Sequence, residues 1–148
     1  MRHVQNAVYV HLVWATWDRP PLLTGAVERE AHRAIEAKCG EFGAEVLAVG
    51  GVEDHVHLLV RLPATLAVAD LVKHAKGSSA HLVAQHLHPD QFFKWQGGYA
   101  AFSVSVGHLT RVTHYIGRQR EHHAANTLIP ALELPLPVAS SADQEKPA

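Results

Sequence analysis

The sequence predicts a single α+β domain in which helices cover one antiparallel β-sheet. The chain has 148 residues, a length that suits one hydrophobic core. Segments with the two-residue period of strands alternate with segments of helical period, in the order strand, helix, strand, strand, helix, strand. No internal repeat and no glycine-rich nucleotide-binding loop interrupts this order, so we expect no nucleotide cofactor.

The first strand and the first helix are marked by clear boundaries. Apolar and aromatic side chains alternate from Val8 to Trp14, as expected for a strand. Prolines 20 and 21 end this segment, and Thr24 can cap a helix whose apolar positions recur at helical spacing until Gly40 and Gly43.

The middle of the chain predicts a hairpin and a second helix. Two apolar-rich runs, Glu45–Val49 and Val56–Leu62, are joined by two glycines and two acidic residues, which favours a turn. Thr65 can cap the second helix, which we expect to be irregular near Gly77-Ser78-Ser79 and to end at Pro89.

The last segments complete the pattern. A fourth strand is predicted from Ala100 to Val106, followed by a helix from about Leu109 to His123, in which Gly117 costs about 1 kcal/mol of helix propensity. The order of elements indicates a ferredoxin-like (RRM-like) sheet with helices on one face, plus this C-terminal helix. We therefore expect a domain over residues 1–126 and a proline-rich tail or arm over residues 127–148.

Composition excludes several classes of protein. No apolar run reaches the ~18 residues that a membrane helix needs, so we expect a cytoplasmic protein that does not bind membranes. The lone cysteine, Cys39, cannot form an internal disulfide, which argues against a small cystine-stapled scaffold.

Charge is unevenly distributed along the chain, although the formal net charge is only −1. Residues 18–54 have a net charge of −4, whereas residues 73–120 hold six basic side chains against Asp90 alone. This segregation indicates a local surface for a polyanion. We predict that DNA contacts come from Lys73, Lys76, Arg111, Arg118 and Arg120. Trp95 and Tyr99 are candidates for base stacking, although core packing explains each of them more simply.

Two histidines form the strongest candidate for a metal site. His55 and His57 are separated by one residue in the third predicted strand, so their side chains point to the same face. Both imidazoles can then reach one ion. The simpler interpretation is a pair of half-exposed sheet histidines, since the chain contains 13 histidines.

The last helix offers a second group of candidates. Tyr115 and Gln119 are one turn apart beside the apolar seam of this helix, where boundary residues of an amphipathic helix would also lie. A phenol is a weak nucleophile at neutral pH, but it can attack a phosphodiester when a metal neutralises the developing charge. Two imidazoles and an amide oxygen would leave such an ion open positions for a phosphate.

Five segments in a fixed order give the sequence a recognisable resemblance. They are His11–Thr16, Asp54–Leu59, Lys76–Ser79, Trp95–Ser105 and Tyr115–His123. On these segments, which extend over most of the chain, the sequence resembles the single-tyrosine HUH transposases of insertion sequences. It also resembles the related tyrosine transposases associated with repetitive extragenic palindromes (REP).

The resemblance implies a specific chemistry. His55 and His57 would bind a divalent metal, Mg²⁺ or Mn²⁺, and Gln119 would complete the protein ligands. Tyr115 would cut single-stranded DNA and form a 5′-phosphotyrosine link, leaving a free 3′-hydroxyl. The family also implies a homodimer that recognises DNA hairpins. Whether Tyr115 acts in its own subunit or in its partner's is left open by the sequence.

Three alternatives remain beside this interpretation. A histidine-triad nucleotide hydrolase would need a third alternating histidine, but position 59 is Leu. A non-catalytic nucleic-acid-binding module is compatible with the fold class, although the predicted strands lack a pair of exposed aromatic residues. A domesticated transposase that binds its hairpin without moving DNA would not need the tyrosine, the two histidines and the glutamine that are present here.

Overall fold

The computed structural model describes residues 4–18, 20–87 and 91–133. The predicted order of elements is confirmed: β1 (Tyr9–Ala15), α1 (Gly25–Glu41), β2 (Glu45–Val52), β3 (His55–Arg61), α2 (Val68–Gln85), β4 (Ala100–Val104), α3 (Leu109–Gly117) and α4 (Gln119–Ala125). The strands form an antiparallel sheet in the order β2-β3-β1-β4, as in a ferredoxin-like fold. No helix in these three ranges is long and apolar enough to cross a membrane.

Several predicted boundaries differ from the structure. Strand β2 continues beyond the predicted end at Val49, and β4 stops at Val104, where a 3₁₀ turn replaces its last predicted residues. Thr24 occupies the N-cap of α1 without a side-chain capping bond, and α2 begins only at Val68. The predicted stop at Pro89 lies outside the described residues.

The two faces of the sheet pack against different helices. On one face, alternate apolar residues of β1 and β3 pack against α1 and α2 and form the main core: Val10, Leu12, Trp14, Val56, Leu58 and Val60. This confirms the predicted apolar stripe of β3. On the opposite face, Leu59 packs with Val112 and Ile116 of α3, so the C-terminal helix covers the face on which His55 and His57 lie.

Helix α2 is continuous where an irregularity was predicted. Gly77, Ser78 and Ser79 all lie within it. The Ser79 hydroxyl donates to the carbonyl oxygen of Ala75 at 2.7 Å, and it accepts a hydrogen bond from the indole N–H of Trp95 at 2.9 Å. The serine is therefore buried inside the helix with its hydroxyl satisfied, and the helix does not need to open there.

The helix predicted from Leu109 to His123 is two helices instead of one. Helix α3 ends at Gly117, α4 begins at Gln119, and Arg118 between them has non-helical dihedral angles, φ −113° and ψ 25°. Asn126 then ends α4 in the left-handed conformation, with φ 56°. After this turn the chain continues through a short 3₁₀ turn, Pro130–Leu132, to Glu133.

A glycine allows α3 to lie close to the sheet. Gly50 of β2 is opposite His57, and a Cβ atom at position 50 would lie 2.4 Å from the backbone oxygen of Ile116. We expect Gly50→Ala to lower the free energy of unfolding by about 1–3 kcal/mol, because the backbone of α3 must shift. Chemical denaturation measures this change. Gly77→Ala is the control, since its Cβ meets nothing within 4 Å; equal stability of the two variants would contradict the close contact.

Candidate metal and tyrosine site

His55 and His57 lie side by side on the face of the sheet that α3 covers. Their ring centroids are 5.1 Å apart, and their exposed fractions are 1% and 0%. Val56 between them belongs to the main core on the other face. The prediction that the two imidazoles share one face is thus confirmed, but they are buried instead of half-exposed.

Each of these two histidines is held through its Nδ1 atom. His55 Nδ1 lies 2.8 Å from a carboxylate oxygen of Asp54, and His57 Nδ1 lies 2.8 Å from Nε2 of His11. A carboxylate can only accept, so His55 must donate from Nδ1, and in its neutral form it presents the Nε2 lone pair. A metal-binding histidine usually has a hydrogen-bond partner of this kind on the ring nitrogen that does not face the metal.

Tyr115 and Gln119 reach the same place from the C-terminal helices. Both are buried, and the side-chain oxygen of Gln119 lies 3.3 Å from Nε2 of His55. The Tyr115 ring lies with its centroid 6.1 Å from that of His57. The structure therefore brings together all four residues that the sequence singled out for the chemistry.

Glu133 is a member of this site that sequence reasoning missed. One carboxylate oxygen, Oε1, lies 3.2 Å from His57 Nε2 and 3.6 Å from His55 Nε2. The other, Oε2, accepts hydrogen bonds from the Tyr115 hydroxyl and from the side-chain amide of Gln119. Glu133 lies in the segment predicted to be a tail, where no local pattern distinguishes it.

The donor atoms of this group suit a divalent cation. The ligand atoms of His55, His57 and Glu133 all lie within 4.8 Å of one another. His57 Nε2 is buried and does not form a hydrogen bond within the described chain, because its 3.2 Å approach to Glu133 lacks hydrogen-bond geometry. Neighbouring ligands of an octahedral ion such as Mg²⁺ are about 3 Å apart. The residues therefore fit such an ion, with imidazole and carboxylate ligands and an amide oxygen beside them.

Two further histidines surround the site. His123 Nε2 lies 3.3 Å from His55 Nε2 and 3.2 Å from the side-chain oxygen of Gln119. The His122 ring packs against the Tyr115 ring, with centroids 4.6 Å apart. Both belong to the last segment of the resemblance, but α4 had to be placed on this face before their contacts could be known.

Burial controls the protonation of the site. It lowers the pKa of His57, partly opposed by Glu133, so the ring is neutral at pH 7, as a metal ligand must be. Burial and the neighbouring His57 lower the pKa of His11 to about 3. Burial, followed by the hydrogen bond to Glu133, raises the pKa of Tyr115 to about 12, so its hydroxyl keeps its proton at neutral pH.

The predicted DNA-contacting cations do not form one surface. Lys73 and Lys76 are on α2, which packs on the main-core face of the sheet, whereas Arg111 is on α3 against the opposite face. Arg118 is exposed between α3 and α4. Arg120 forms ion pairs with Glu28 at 2.7 Å and Glu53 at 2.8 Å. The prediction of a single basic surface is corrected, because nearness in sequence does not fix which face of the sheet a helix covers.

Lys76 has structural partners. Its ammonium donates to the backbone oxygens of Gln96 and Gly98, each at 2.8 Å, and burial lowers its pKa to about 8. We expect Lys76→Met to lower the free energy of unfolding by about 1–2 kcal/mol, since both bonds are lost. Lys73→Met, at an exposed position of the same helix, should leave it unchanged. Thermal denaturation of the two variants checks this. Unchanged stability of Lys76→Met would mean that the two hydrogen bonds do not hold residues 96–98 in place.

The aromatic candidates also separate into different environments. Trp95 is buried in the main core, and its indole N–H is satisfied by Ser79, so base stacking by Trp95 is not available in this structure. Tyr99 is half-buried, with the Lys76 ammonium 5.9 Å from its ring centroid. Trp17, which the sequence analysis did not select, is 49% exposed with Lys94 4.7 Å from its ring.

A ferredoxin-like sheet that presents two buried histidines to a helix-borne tyrosine and glutamine defines the class of single-tyrosine HUH transposases. Residues 4–119, well over half of the chain, match the family described as IS200-like transposases. The chain belongs to this family, whose members are enzymes of DNA transposition. Glu133 and His123 lie beyond the matched residues.

Individual relatives agree with this assignment. The chain is 28% identical over 116 residues to the ISDra2 transposase TnpA of Deinococcus radiodurans, covering 75% of this chain and 83% of that protein. A crystal structure of a D. radiodurans protein assigned to the transposases has 26% identity and a TM-score of 0.62, over 79% of this chain and 93% of that one. A REP-associated tyrosine transposase bound to a REP hairpin, 15% identical, shares the fold with a TM-score of 0.63, over 96% and 93% of the two chains.

Proposed function

We propose that this transposase cuts and rejoins single-stranded DNA with Tyr115 as the nucleophile and a divalent metal, Mg²⁺ or Mn²⁺, as cofactor. The observation that supports the proposal best is the contact between Tyr115 and Glu133, whose other oxygen faces both histidines. It brings the phenol, the imidazoles and a carboxylate of one chain into a single buried site.

The ion would be held by Nε2 of His55 and His57 and by the oxygens of Gln119 and Glu133. When bound, it supplies positive charge that neutralises a phosphate oxygen and the charge developing on it. Asp54 keeps the Nε2 lone pair of His55 directed into the site. Burial of both rings excludes water, which strengthens every electrostatic interaction at the site.

The proposed reaction is a transesterification at phosphorus. The Tyr115 oxygen attacks, the new bond joins this oxygen to phosphorus, and the bond to the 3′-oxygen of the preceding nucleotide breaks. Because the phenol is protonated at neutral pH, its proton must leave as the bond forms. Glu133 already accepts that hydrogen bond, so its carboxylate is positioned to receive the proton. Glu133 releases the proton that it receives to the solvent, and the departing 3′-oxygen takes up one proton from the solvent in exchange and becomes a free hydroxyl.

The product suits a strand-joining enzyme. A 5′-phosphotyrosine link retains the energy of the original phosphodiester, so a 3′-hydroxyl can attack it in the reverse reaction without a nucleotide cofactor. We propose single-stranded DNA with hairpins as the substrate, supported by the family and by the REP hairpin bound to a transposase of the same fold. Lys73, Arg111 and Arg118, which are exposed, remain the proposed phosphate contacts.

The remaining parts of the proposal concern organisation. We place the transposase domain at residues 1–126 and the tail at residues 127–148, with Glu133 as the contribution of the tail to the site. From the family resemblance we propose a homodimer, and from the composition of the sequence we propose that it acts in the cytoplasm. Sedimentation of the purified chain measures directly whether it forms a homodimer.

A covalent-adduct assay tests the proposed reaction. The protein is incubated with a hairpin-bearing single strand and Mn²⁺, and the mixture is run on a denaturing gel. We expect a slow-migrating adduct that contains label from the 3′ end of the strand, while the 5′-labelled fragment is released with a 3′-hydroxyl that a polymerase can extend. A chelator should abolish both products. Hairpin binding without any adduct would instead indicate the non-catalytic, domesticated alternative.

A further inference from the structure

His11 and His57 form a hydrogen-bonded pair of imidazoles inside the protein. His11 Nε2 and His57 Nδ1 are 2.8 Å apart, and the rings are stacked, with centroids 5.0 Å apart and planes at 25°. Both residues have an exposed fraction of 0%. Bulk water therefore cannot replace either partner, and the bond between them decides where each ring keeps its proton.

The register of the sheet explains why these two rings meet. Val13 is directly opposite His57, and His11 is opposite Leu59, so His11 is the diagonal neighbour of His57 on the same face. Phe102 of β4, opposite His11, lies on its other side with a ring-centroid distance of 5.7 Å. The position of His11 is thus fixed by two neighbouring strands.

A hydrogen bond between two neutral imidazoles has one direction. If His57 donates from Nδ1, its Nε2 atom has a lone pair that faces Glu133 and the proposed ion. If His11 donates instead, His57 must carry its proton on Nε2, where it cannot bind a metal. Only the first arrangement makes His57 a ligand.

Coordination through Nε2 would require the first arrangement. In the metal-free site, Oε1 of Glu133 faces His57 Nε2 at 3.2 Å and can accept a proton from it. An ion held there would need the Nε2 lone pair, so the proton of His57 would have to lie on Nδ1, where His11 Nε2 is 2.8 Å away and can accept it. His11 would then carry its own proton on Nδ1, which is buried and has no hydrogen-bond partner in the described chain. The neighbouring ligand has a matching support, because Asp54 accepts from Nδ1 of His55 at the same distance of 2.8 Å.

We infer that His11 is a positioning residue, which accepts the Nδ1 proton of His57 and thereby keeps the Nε2 lone pair of His57 directed at the metal. The inference rests on the proposed role of His57 as a ligand. His11 does for His57 what Asp54 does for His55, and the two supports come from different segments of the chain. No atom of His11 has to touch the ion or the DNA.

Two substitutions separate this role from simple packing. In His11→Gln the side-chain oxygen can still accept a hydrogen bond, whereas His11→Phe retains a ring of similar shape and cannot accept one. Phe102→Leu is the matched control, since it alters packing against His11 without removing the acceptor. Titration of the full-length protein with Mn²⁺ should give about tenfold or weaker affinity for His11→Phe. The other two variants should stay within about threefold of the wild type.

The tautomer of His57 gives a readout that does not depend on activity. In ¹⁵N NMR spectra of the protein saturated with Mg²⁺, we expect the His57 proton on Nδ1 in the wild type and in His11→Gln. His11→Phe offers no acceptor for this proton, so its His57 should keep the proton on Nε2. A wild-type His57 that stays protonated on Nε2 at saturating Mg²⁺, or an unchanged Mn²⁺ affinity in His11→Phe, would overturn the inference. If His11→Phe does not fold, the wild-type spectrum still decides.

The two proposals can fail separately. A wild type that forms no DNA adduct, but whose His57 tautomer depends on His11, would refute strand cutting and leave the positioning role intact. A wild type that forms the adduct, but whose His57 is protonated on Nε2, would support strand cutting and refute the positioning role of His11.

Discussion

Replacing Tyr115 with phenylalanine should abolish the covalent protein–DNA adduct and leave hairpin binding within a few-fold of the wild type. The substitution removes one oxygen atom, which we propose is the atom that attacks phosphorus, and retains the ring that packs beside His57 and His122. The denaturing gel described above measures the adduct, and a gel-shift experiment measures binding. Stability should fall by about 1–2 kcal/mol, for the lost hydrogen bonds to Glu133 and from the backbone N–H of Ile129.

A second tyrosine provides the control for this experiment. Tyr99→Phe removes the same atom from a half-buried side chain that does not belong to the site, so its adduct should match that of the wild type. An adduct that persists in Tyr115→Phe would assign the nucleophile to another residue. The metal site could still be correct in that case, since His55 and His57 do not depend on the phenol for their position.

The second large effect is expected for His57→Ala. We expect adduct formation to fall by at least about a hundredfold, because the ion loses a ligand and the cavity loses a ring held by His11. Hairpin affinity, measured without a divalent ion, should stay within a few-fold, since His57 has an exposed fraction of 0% and cannot touch DNA in this structure.

A variant at an exposed histidine is the control for His57→Ala. His81→Ala, at the surface of α2, should cut and bind like the wild type. If His57→Ala loses hairpin binding and cutting to the same degree, then His57 supports the fold or the DNA surface, and the ligand assignment is wrong. A thermal denaturation curve of the variant distinguishes these two results.

The sequence predicted the parts of the site that depend on local periodicity. The alternation of strand side chains places His55 and His57 on one face, and their nearness in the sequence requires no knowledge of the rest of the chain. The spacing of Tyr115 and Gln119 also predicted that these two side chains lie next to each other. The break at Arg118 was not foreseen, although Gly117 marks the residue at which α3 ends.

The parts that could not be predicted depend on contacts between distant segments. Glu133 reaches the histidines after α4 has ended at Asn126 in the left-handed conformation, and nothing around position 133 indicates a ligand. His11 meets His57 through a diagonal position that exists only in one register of β1 and β3. The prediction of a single basic surface was wrong for the same reason, because α2 and α3 cover opposite faces of the sheet.

The break between α3 and α4 has a consequence for the proposed reaction, which must both cut and join. Tyr115 belongs to α3, which Val112 and Ile116 hold against the sheet, whereas Gln119 belongs to α4, which the ion pairs of Arg120 hold to Glu28 and Glu53. The phenol and the amide are therefore anchored separately, and a small shift of one helix at Arg118 need not displace the other side chain. An uninterrupted helix would force both side chains to travel together.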